Sequence, residues 1–421
     1  MNVTAITLSL VMLILAVPIF MVFGLGSATV AIWGMNLPWS TLIQVSFGSM
    51  TKHVLIAVPL FIFTGMIMLR GGAAARLVHF AMTLVGHLPG GLGLAMILAM
   101  GFFAAFCGSI LAAITAIGTI MIPQMVDQGY PKPFVIVLAA SAAFLEALIP
   151  PSNAAILFSA LTDVPVSHTF AAGFVPGFVL IVILSAVVIW RCRHLRNPAR
   201  ATPSQRLAAF RSALPGLLTP VIILGGIYAG LLTSSESAAV AGVWAILIGF
   251  FAYRELTIGG LCRALHDTAR ITAVIFAIIA MATFLSVVLT YSQAPQKIIG
   301  FFTAMGGTPM MFWISVAVIC LILGTFIEIV PVFYLTVPIF AAIALSLNLH
   351  ILHLYVVFVA FAGIGMITPP VCVGIYTAAG VAGESPEKAF REVPLFVIVG
   401  IFFGALMIAM PEAATWLPGL L

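Results

Sequence analysis

The chain has 421 residues, 63% of them hydrophobic and 6% charged, with a formal net charge of +5 and a mean hydropathy of +1.28. Soluble domains run at roughly 45–50% apolar and about 25% charged, so these figures exclude a string of soluble domains and define a polytopic integral membrane protein. A spanning helix needs about 20 apolar residues, which leaves room for roughly ten to fourteen hydrophobic segments and no soluble domain of useful size.

The apolar runs are continuous rather than alternating, which favours helices over an outer-membrane barrel. Thirty-seven glycines and twenty-five prolines are many for a plain bundle. Several helices are therefore expected to be broken or re-entrant, and such breaks survive only where they pack in protein or line a cavity. Composition thus leans towards transport. Nine of the sixteen Lys and Arg lie between Arg191 and Arg270, so the positive charge reads as a topology signal rather than as affinity for nucleic acid. Cys107, Cys192, Cys262, Cys320 and Cys372 form no CxxC pair and are expected to be small core residues, without disulfide or metal. No Lys or Arg precedes Lys52, which makes the N-terminal apolar run a retained helix rather than a cleaved leader.

In chain order, a first helix is predicted over about 4–33, bent near Pro18 and the Gly24/Gly26 pair, followed by a polar-aromatic connection that closes a region 1–52. A span follows over 54–70, then an interfacial helix over 73–87. Two short apolar pieces, 91–106 and 110–126, flank Cys107-Gly108-Ser109 and read as a re-entrant hairpin. The segment 134–161 is broken by Ile149-Pro150-Pro151-Ser152-Asn153, and a full span over 170–190 closes a first repeat of 53–190. Region 191–270 holds a basic stretch, Arg191 to Arg211, with six arginines and no acid. The positive-inside rule makes that stretch cytoplasmic. Linking spans over 215–232 and 235–253 then go out and return to a second cytoplasmic connection, Arg254 to Arg270.

The remainder, 271–421, repeats the earlier grammar. A span over 271–290 precedes an interfacial piece with Pro295 and Lys297. A hairpin over 310–345 has its tip at Gly324-Thr325 beside Glu328, a segment over 351–381 is broken at Gly365-Met366-Ile367-Thr368-Pro369-Pro370, and a last span covers 394–411. Gly108 lies 42 residues before Pro150, and Gly324 lies 45 before Pro369. An odd number of crossings separates equivalent points, so the two halves are expected to be inverted. Inverted repeats with discontinuous helices place substrate and ion sites near the midplane, where helix N-termini offer N–H donors to anions and carbonyl ends offer oxygen to cations.

These blocks resemble a known family. The matching pieces are Pro59-Leu60-Phe61 with Gly65 and Arg70-Gly71-Gly72; Phe106-Cys107-Gly108-Ser109 with Ala112 and Gly118; and Ile122-Pro123-Gln124-Met125 with Gly129-Tyr130. They continue through Ile149-Pro150-Pro151-Ser152 with Gly173 and Pro176-Gly177, Gly225-Gly226-Ile227-Tyr228 with Gly230, Thr233 and Glu236, and Gly324, Glu328, Pro338 and Thr368-Pro369-Pro370. From about residue 10 to 410 the chain is similar to the large, DctM-like permease subunit of tripartite ATP-independent periplasmic (TRAP) transporters.

The resemblance implies an all-α polytopic fold of inverted repeats, with two re-entrant hairpins and two broken helices divided into a scaffold and an elevator-type transport domain. It implies a sodium-coupled importer of a small organic acid, such as a C4-dicarboxylate or sugar acid, in the bacterial inner membrane. Implied partners are a small four-helix membrane subunit of the DctQ type and a periplasmic substrate-binding protein of the DctP type. The alternative reading is a stand-alone sodium- or proton-coupled anion symporter of a related two-hairpin fold. Sodium would be the coupling ion, and no other cofactor is expected. The sodium and substrate sites carried over are Gly108, Ser109, Pro151, Ser152 and Asn153 in the first half and Gly324, Thr325, Gly365, Met366 and Thr368 in the second. Sodium needs several oxygen ligands, and a broken helix frees carbonyls without burying a further charge.

Three acids stand apart. Glu146 lies four residues before the first Pro-Pro pair, where the family usually has a small residue. An intramembrane acid is costly to bury and points to function. It could be a protonatable group, a cation ligand or a partner for a polar substrate, and Ser152 or Asn153 is its expected neighbour. Glu328 either stabilises the second hairpin or takes a direct sodium or substrate role. Thr233-Ser234-Ser235-Glu236 stands where the family usually has Thr-Pro-Thr-Glu, and Glu236 reads as a helix-capping acid after Ser235. His350 and His353 stand three apart without a third ligand nearby and read as a polar loop end. The expected core has no Lys or Arg to clamp a carboxylate. No nucleophile-elbow, HExxH, Walker or Rossmann pattern stands in a fitting context, so no enzyme is expected.

Overall fold

The structure is a computed structural model that describes residues 3–15, 17–195, 199–304 and 306–421, and every regular element among them is helical. The N-terminal run divides at Pro18 into α1 (Val3–Ile14) and α2 (Ile19–Ala28), because proline lacks the N–H that a continuous helix would need. The connection predicted before Lys52 is itself largely a helix, α3 (Trp39–Met50). Its Leu42 and Val45 pack beside Phe284 and Val288, while Trp39, Ile43 and Phe47 face outwards. The interspersed Ser, Thr and Gln hid that apolar period.

Next come α4 (Ala57–Arg70) and the amphipathic α5 (Ala73–Val85), which buries Leu77, Val78 and Ala81. The first hairpin consists of α6 (Gly91–Cys107) and α7 (Ile110–Asp127), turning on Gly108 and Ser109. Then α8 (Lys132–Ala143) and the short α9 (Leu145–Leu148) lead to a break over residues 149–152, from which α10 (Asn153–Thr162) leaves at 44°. The 27-residue α11 (Val166–Cys192) ends at the basic stretch.

Two of the linking elements are longer than expected. The helix α12 (Pro203–Tyr228) starts twelve residues before the predicted 215, because Thr202 and Gln205 form a reciprocal capping box that lets the basic stretch enter the helix. After α13 (Ser234–Leu247), the 34-residue α14 (Ile258–Tyr291) starts at the Thr257 cap, thirteen residues before the predicted 271. The cap of α13 is Thr233, with Glu236 closing its capping box, so Glu236 has a capping role but its partner is Thr233 rather than Ser235.

The second half comprises α15 (Ala294–Ala304), α16 (Pro309–Phe326), α17 (Ile329–Ser346), α18 (Ile351–Ile367), α19 (Val373–Ala382), α20 (Val393–Ala409) and the terminal turn α21 (Glu412–Thr415). Among the described residues eight helices are long and apolar enough to cross a membrane, or nine if the pair bent at 149–152 is one span. His353 is no loop residue: it is buried in α18, its ring on Trp313 and its Nε2 2.8 Å from the Met407 carbonyl.

The two halves interlock. Helix α7 of the first hairpin packs on α19 of the second broken helix, and α17 of the second hairpin packs on α10 of the first. Phe158 of α10 lies against Phe333 of α17 and Tyr355 of α18, with ring centroids 6.1 Å and 5.2 Å apart. Outside this block, α14 packs on α2, α3 and α4, and α12 and α13 pack on each other and on α5 and α4. Ion pairs tie helix ends together: Arg70 to Asp267 (2.5 Å), Arg76 to Glu255 (2.7 Å), Lys132 to Glu384 (3.5 Å) and Arg191 to Glu392 (3.4 Å). Such partly exposed pairs each contribute roughly 0–1 kcal/mol, so they orient the ends more than they hold the fold.

Candidate functional site

A cavity of about 540 Å³ lies between the interlocked block and the α4–α14 pair. One wall is apolar: Ile62, Met66 and Leu69 of α4, and Ile271, Val274, Ile275 and Ile278 of α14. Those α14 residues, together with Asp267 and Arg270, recur every three or four positions and so form one stripe of the helix. From Asp267 to Ile278 the stripe rises about 16 Å at 1.5 Å per residue.

The opposite wall is polar and comes from breaks in secondary structure. Gly108, Ser109 and Thr115 come from the first hairpin, Glu146 from the end of the broken helix's first arm, and Ser152 and Asn153 from the start of its second arm. Glu328 comes from the second hairpin and is exposed to the cavity. The local conformations follow from the residues. Gly108 has φ +67°, a region costly for side chains with a Cβ, and Ser109 caps α7 by accepting from the Ala112 N–H at 3.4 Å. Asn153 reaches from α10 to the hairpin turn, its Nδ2 donating to the Gly108 carbonyl at 2.5 Å. Ser152 donates to the Ala147 carbonyl at 3.1 Å, which also accepts from the Tyr355 hydroxyl at 2.6 Å.

Glu146 is 2% exposed, and neither carboxyl oxygen has a hydrogen-bond partner among the described residues; the Asn153 Oδ1 is likewise buried and unpartnered. The Glu146 carboxyl faces the Ser109 amide and the Cys107 thiol without closing a hydrogen bond of normal geometry on either. The expected pairing of Glu146 with Ser152 or Asn153 does not form. The donors of both residues are already committed to backbone carbonyls, of Ala147 before the helix break and of Gly108 at the hairpin turn, where helix ends leave carbonyls without helical partners.

The second-half residues lie elsewhere. Gly324 and Thr325 sit within α16 rather than at the tip, because the helix continues to Phe326 and the chain turns over Ile327 and Glu328. The Thr325 hydroxyl donates to the Ile322 carbonyl of its own helix at 2.7 Å. Gly324 and Gly365 are instead the closest approach of α16 and α18. A Cβ on Gly324 would stand 2.6 Å from the Ala362 carbonyl, and one on Gly365 would stand 2.6 Å from the Gly324 Cα, which is how small residues let helices pack backbone to backbone in membranes. Met366 is buried in α18, and Thr368 caps that helix, its hydroxyl donating to the Ile364 carbonyl at 2.7 Å. None of these five lines the cavity, and Pro151 lies buried behind Ser152.

Asp267 and Arg270 do line it, so the cavity contains an arginine that the predicted boundary at 271 had assigned to a loop. The Thr257 cap and the small residues Gly260, Ala264 and Thr268, all buried at helical spacing, were the available signal.

An all-helical block of hairpins and broken helices around a half-polar cavity defines a multi-pass membrane transporter. The sequence matches the family described as the DctM component of the tripartite ATP-independent periplasmic transporter over residues 6–413. The chain belongs to that family. It is 36% identical over 395 residues to the C4-dicarboxylate TRAP transporter large permease protein DctM of Pseudomonas aeruginosa, covering 93% of this chain and 92% of that protein. It is 31% identical over 383 residues to the ectoine/5-hydroxyectoine TRAP transporter large permease protein UehC of Ruegeria pomeroyi, covering 90% and 89%. The fold is similar to that of the Alcanivorax borkumensis YdaH transporter, with a TM-score of 0.62 at 14% identity over 98% of this chain and 99% of that one.

Proposed function

We propose that this large permease subunit is the translocating part of a sodium-coupled importer of a small organic acid. In this reading the protein resides in a bacterial inner membrane with a small four-helix membrane subunit and receives its solute from a periplasmic binding protein. The carrying observation is the convergence of the first hairpin turn, the first helix break and the second hairpin tip on one cavity. Breaks of this kind concentrate backbone carbonyls and hydroxyls that suit sodium, and helix starts that suit a carboxylate. The region of Gly108, Ser109, Ser152 and Asn153 is the first cation site in this reading, and the break around Thr368 is the second.

The two walls support an elevator motion. The interlocked block carries most of the polar groups, while the facing α4–α14 wall is aliphatic apart from Asp267 and Arg270, so sliding along it breaks few directional contacts, the Lys52 bond to the Ala160 carbonyl among them. The Arg70–Asp267 pair and Arg270 stand at the end of the cavity that the positive-inside rule assigns to the cytoplasm, and in this reading the cavity opens on that side. Sodium-gradient-driven uptake into vesicles containing all three components, over a panel of carboxylates, tests the reading. Uptake indifferent to sodium would refute the coupling. Uptake by this chain alone would favour the stand-alone symporter.

A further inference from the structure

The cavity leaves three buried oxygen atoms without partners: both carboxyl oxygens of Glu146 and the Oδ1 of Asn153. Glu146 is 2% and Asn153 8% exposed, and both residues line the same cavity beside the first hairpin turn. All three atoms are acceptors when Glu146 is ionised; the Ser109 amide and the Cys107 thiol face the carboxyl without closing a hydrogen bond of normal geometry, and two further side-chain donors nearby are spoken for. The Asn153 Nδ2 goes to Gly108 and the Ser152 hydroxyl to Ala147. An ionised carboxyl buried without a counter-group costs several kcal/mol, so this corner is completed by a proton, by a metal cation or by a donor group that carries positive charge.

The surrounding charges sharpen the point. Glu328 borders the same cavity, and Asp267 is paired with Arg70, which leaves Arg270 as the cation among the described lining residues. Arg270 belongs to the α14 wall, and Glu146 to the polar wall opposite it. A dianion in this cavity would meet two carboxyl groups with one arginine near the mouth. A molecule with an ammonium at one end and a carboxylate at the other would match the distribution.

We propose that Glu146 and Asn153 form a specificity subsite for a primary or secondary ammonium group of the substrate, making a zwitterionic organic acid the preferred cargo over a dicarboxylate. The proposal rests on the reading of this cavity as the transport site. Glu146 supplies the charge and Asn153 Oδ1 a second acceptor, while the Asn153 amide keeps the hairpin turn in place. The carboxylate end of the cargo is left to Arg270.

The test uses three probes of one chain length, 4-aminobutyrate, succinate and butyrate, which differ only in the terminal group offered to Glu146. Thermal midpoints of the permease, purified with its small membrane subunit, are followed against each probe in sodium buffer. In the wild type the half-saturating concentration of 4-aminobutyrate is expected to be at least about tenfold below those of the other two, the range of a charge-assisted hydrogen bond. In Glu146→Gln the three should fall within about twofold of one another, with the stabilisation by sodium itself retained.

Equal binding of the probes to the wild type, or a response to sodium but to none of them, overturns the subsite without any variant being needed. Loss of the sodium response in Glu146→Gln with the amine preference intact overturns it in favour of a sodium ligand. Unchanged binding of every probe in that variant overturns it in favour of a carboxyl that simply holds a proton. Failure of sodium-driven uptake beside an intact amine preference would count against the coupled-importer reading instead.

Discussion

The Asn153 side chain donates to the Gly108 carbonyl at 2.5 Å, so the first residue of α10 is fastened to the turn of a hairpin 45 positions earlier in the chain. The bond closes the polar wall of the cavity.

Asn153→Ala should therefore destabilise the protein and loosen the turn together. An unmade buried hydrogen bond costs roughly 1–3 kcal/mol, so the apparent thermal midpoint should fall, with transport falling further than stability alone explains. An unchanged midpoint would mean that the tether is not formed. Gly108→Ala strikes the same contact from the other side, since its Cβ would lie 2.6 Å from the Asn153 Nδ2 at φ +67°.

Gly324→Ala should cost more than a surface change anywhere on α19. The added methyl would meet the Ala362 carbonyl at 2.6 Å, and overpacking of this kind costs typically about 1–3 kcal/mol. Gly380→Ala, where nothing stands within 4 Å, is the matched control. Size-exclusion profiles in detergent should show loss of monodisperse protein for the first and none for the second. Equal behaviour would remove the α16–α18 crossing as a tight contact.

Side-specific labelling reads the direction in which the cavity opens. Val274 is 51% exposed and lines the cavity, and the exposed Cys262 is first replaced by Ser. A Val274→Cys protein should react with a membrane-impermeant maleimide in inside-out vesicles and be protected in right-side-out cells. The reverse pattern would place the opening on the periplasmic side.

The α19–α20 connection should carry an acid-dependent share of stability. A hydrogen bond from Lys388, helped by the Ser385 amide and by Lys132, holds the Glu384 carboxyl down at about 2, against an ordinary value of 4.5. A depressed carboxyl stabilises the folded state above its unfolded value and loses that contribution as pH falls through its folded value. Midpoints measured from pH 5 down towards 2 should consequently decline less steeply in Glu384→Gln than in the wild type. Parallel curves would show that the pair contributes nothing.

Much of the fold was legible because the membrane simplifies the code. Apolar runs marked the helices, and Gly108-Ser109 and Pro150-Pro151 marked turns that the structure places where the chain reverses or bends. Legibility failed where a helix continued through polar sequence. The start of α14 was hidden because Arg263, Asp267 and Arg270 look like loop residues, although Thr257 caps a helix that contains them all. Gly324-Thr325 looked like a hairpin tip because glycine breaks helices in water. In a membrane helix it serves equally to admit a neighbouring backbone, and α16 runs on to Phe326.

The sequence by itself determined the membrane class, the family and the existence of a costly acid at Glu146. Those properties follow from composition and local order, since lipid admits few backbone solutions. Tertiary structure alone decided which breaks share a cavity, that Arg270 borders it, and that Ser152 and Asn153 spend their donors on Ala147 and Gly108 rather than on Glu146. Hydrogen-bond partners are chosen by proximity in space, and residues 45 apart in the chain meet only once the hairpin and the broken helix have packed.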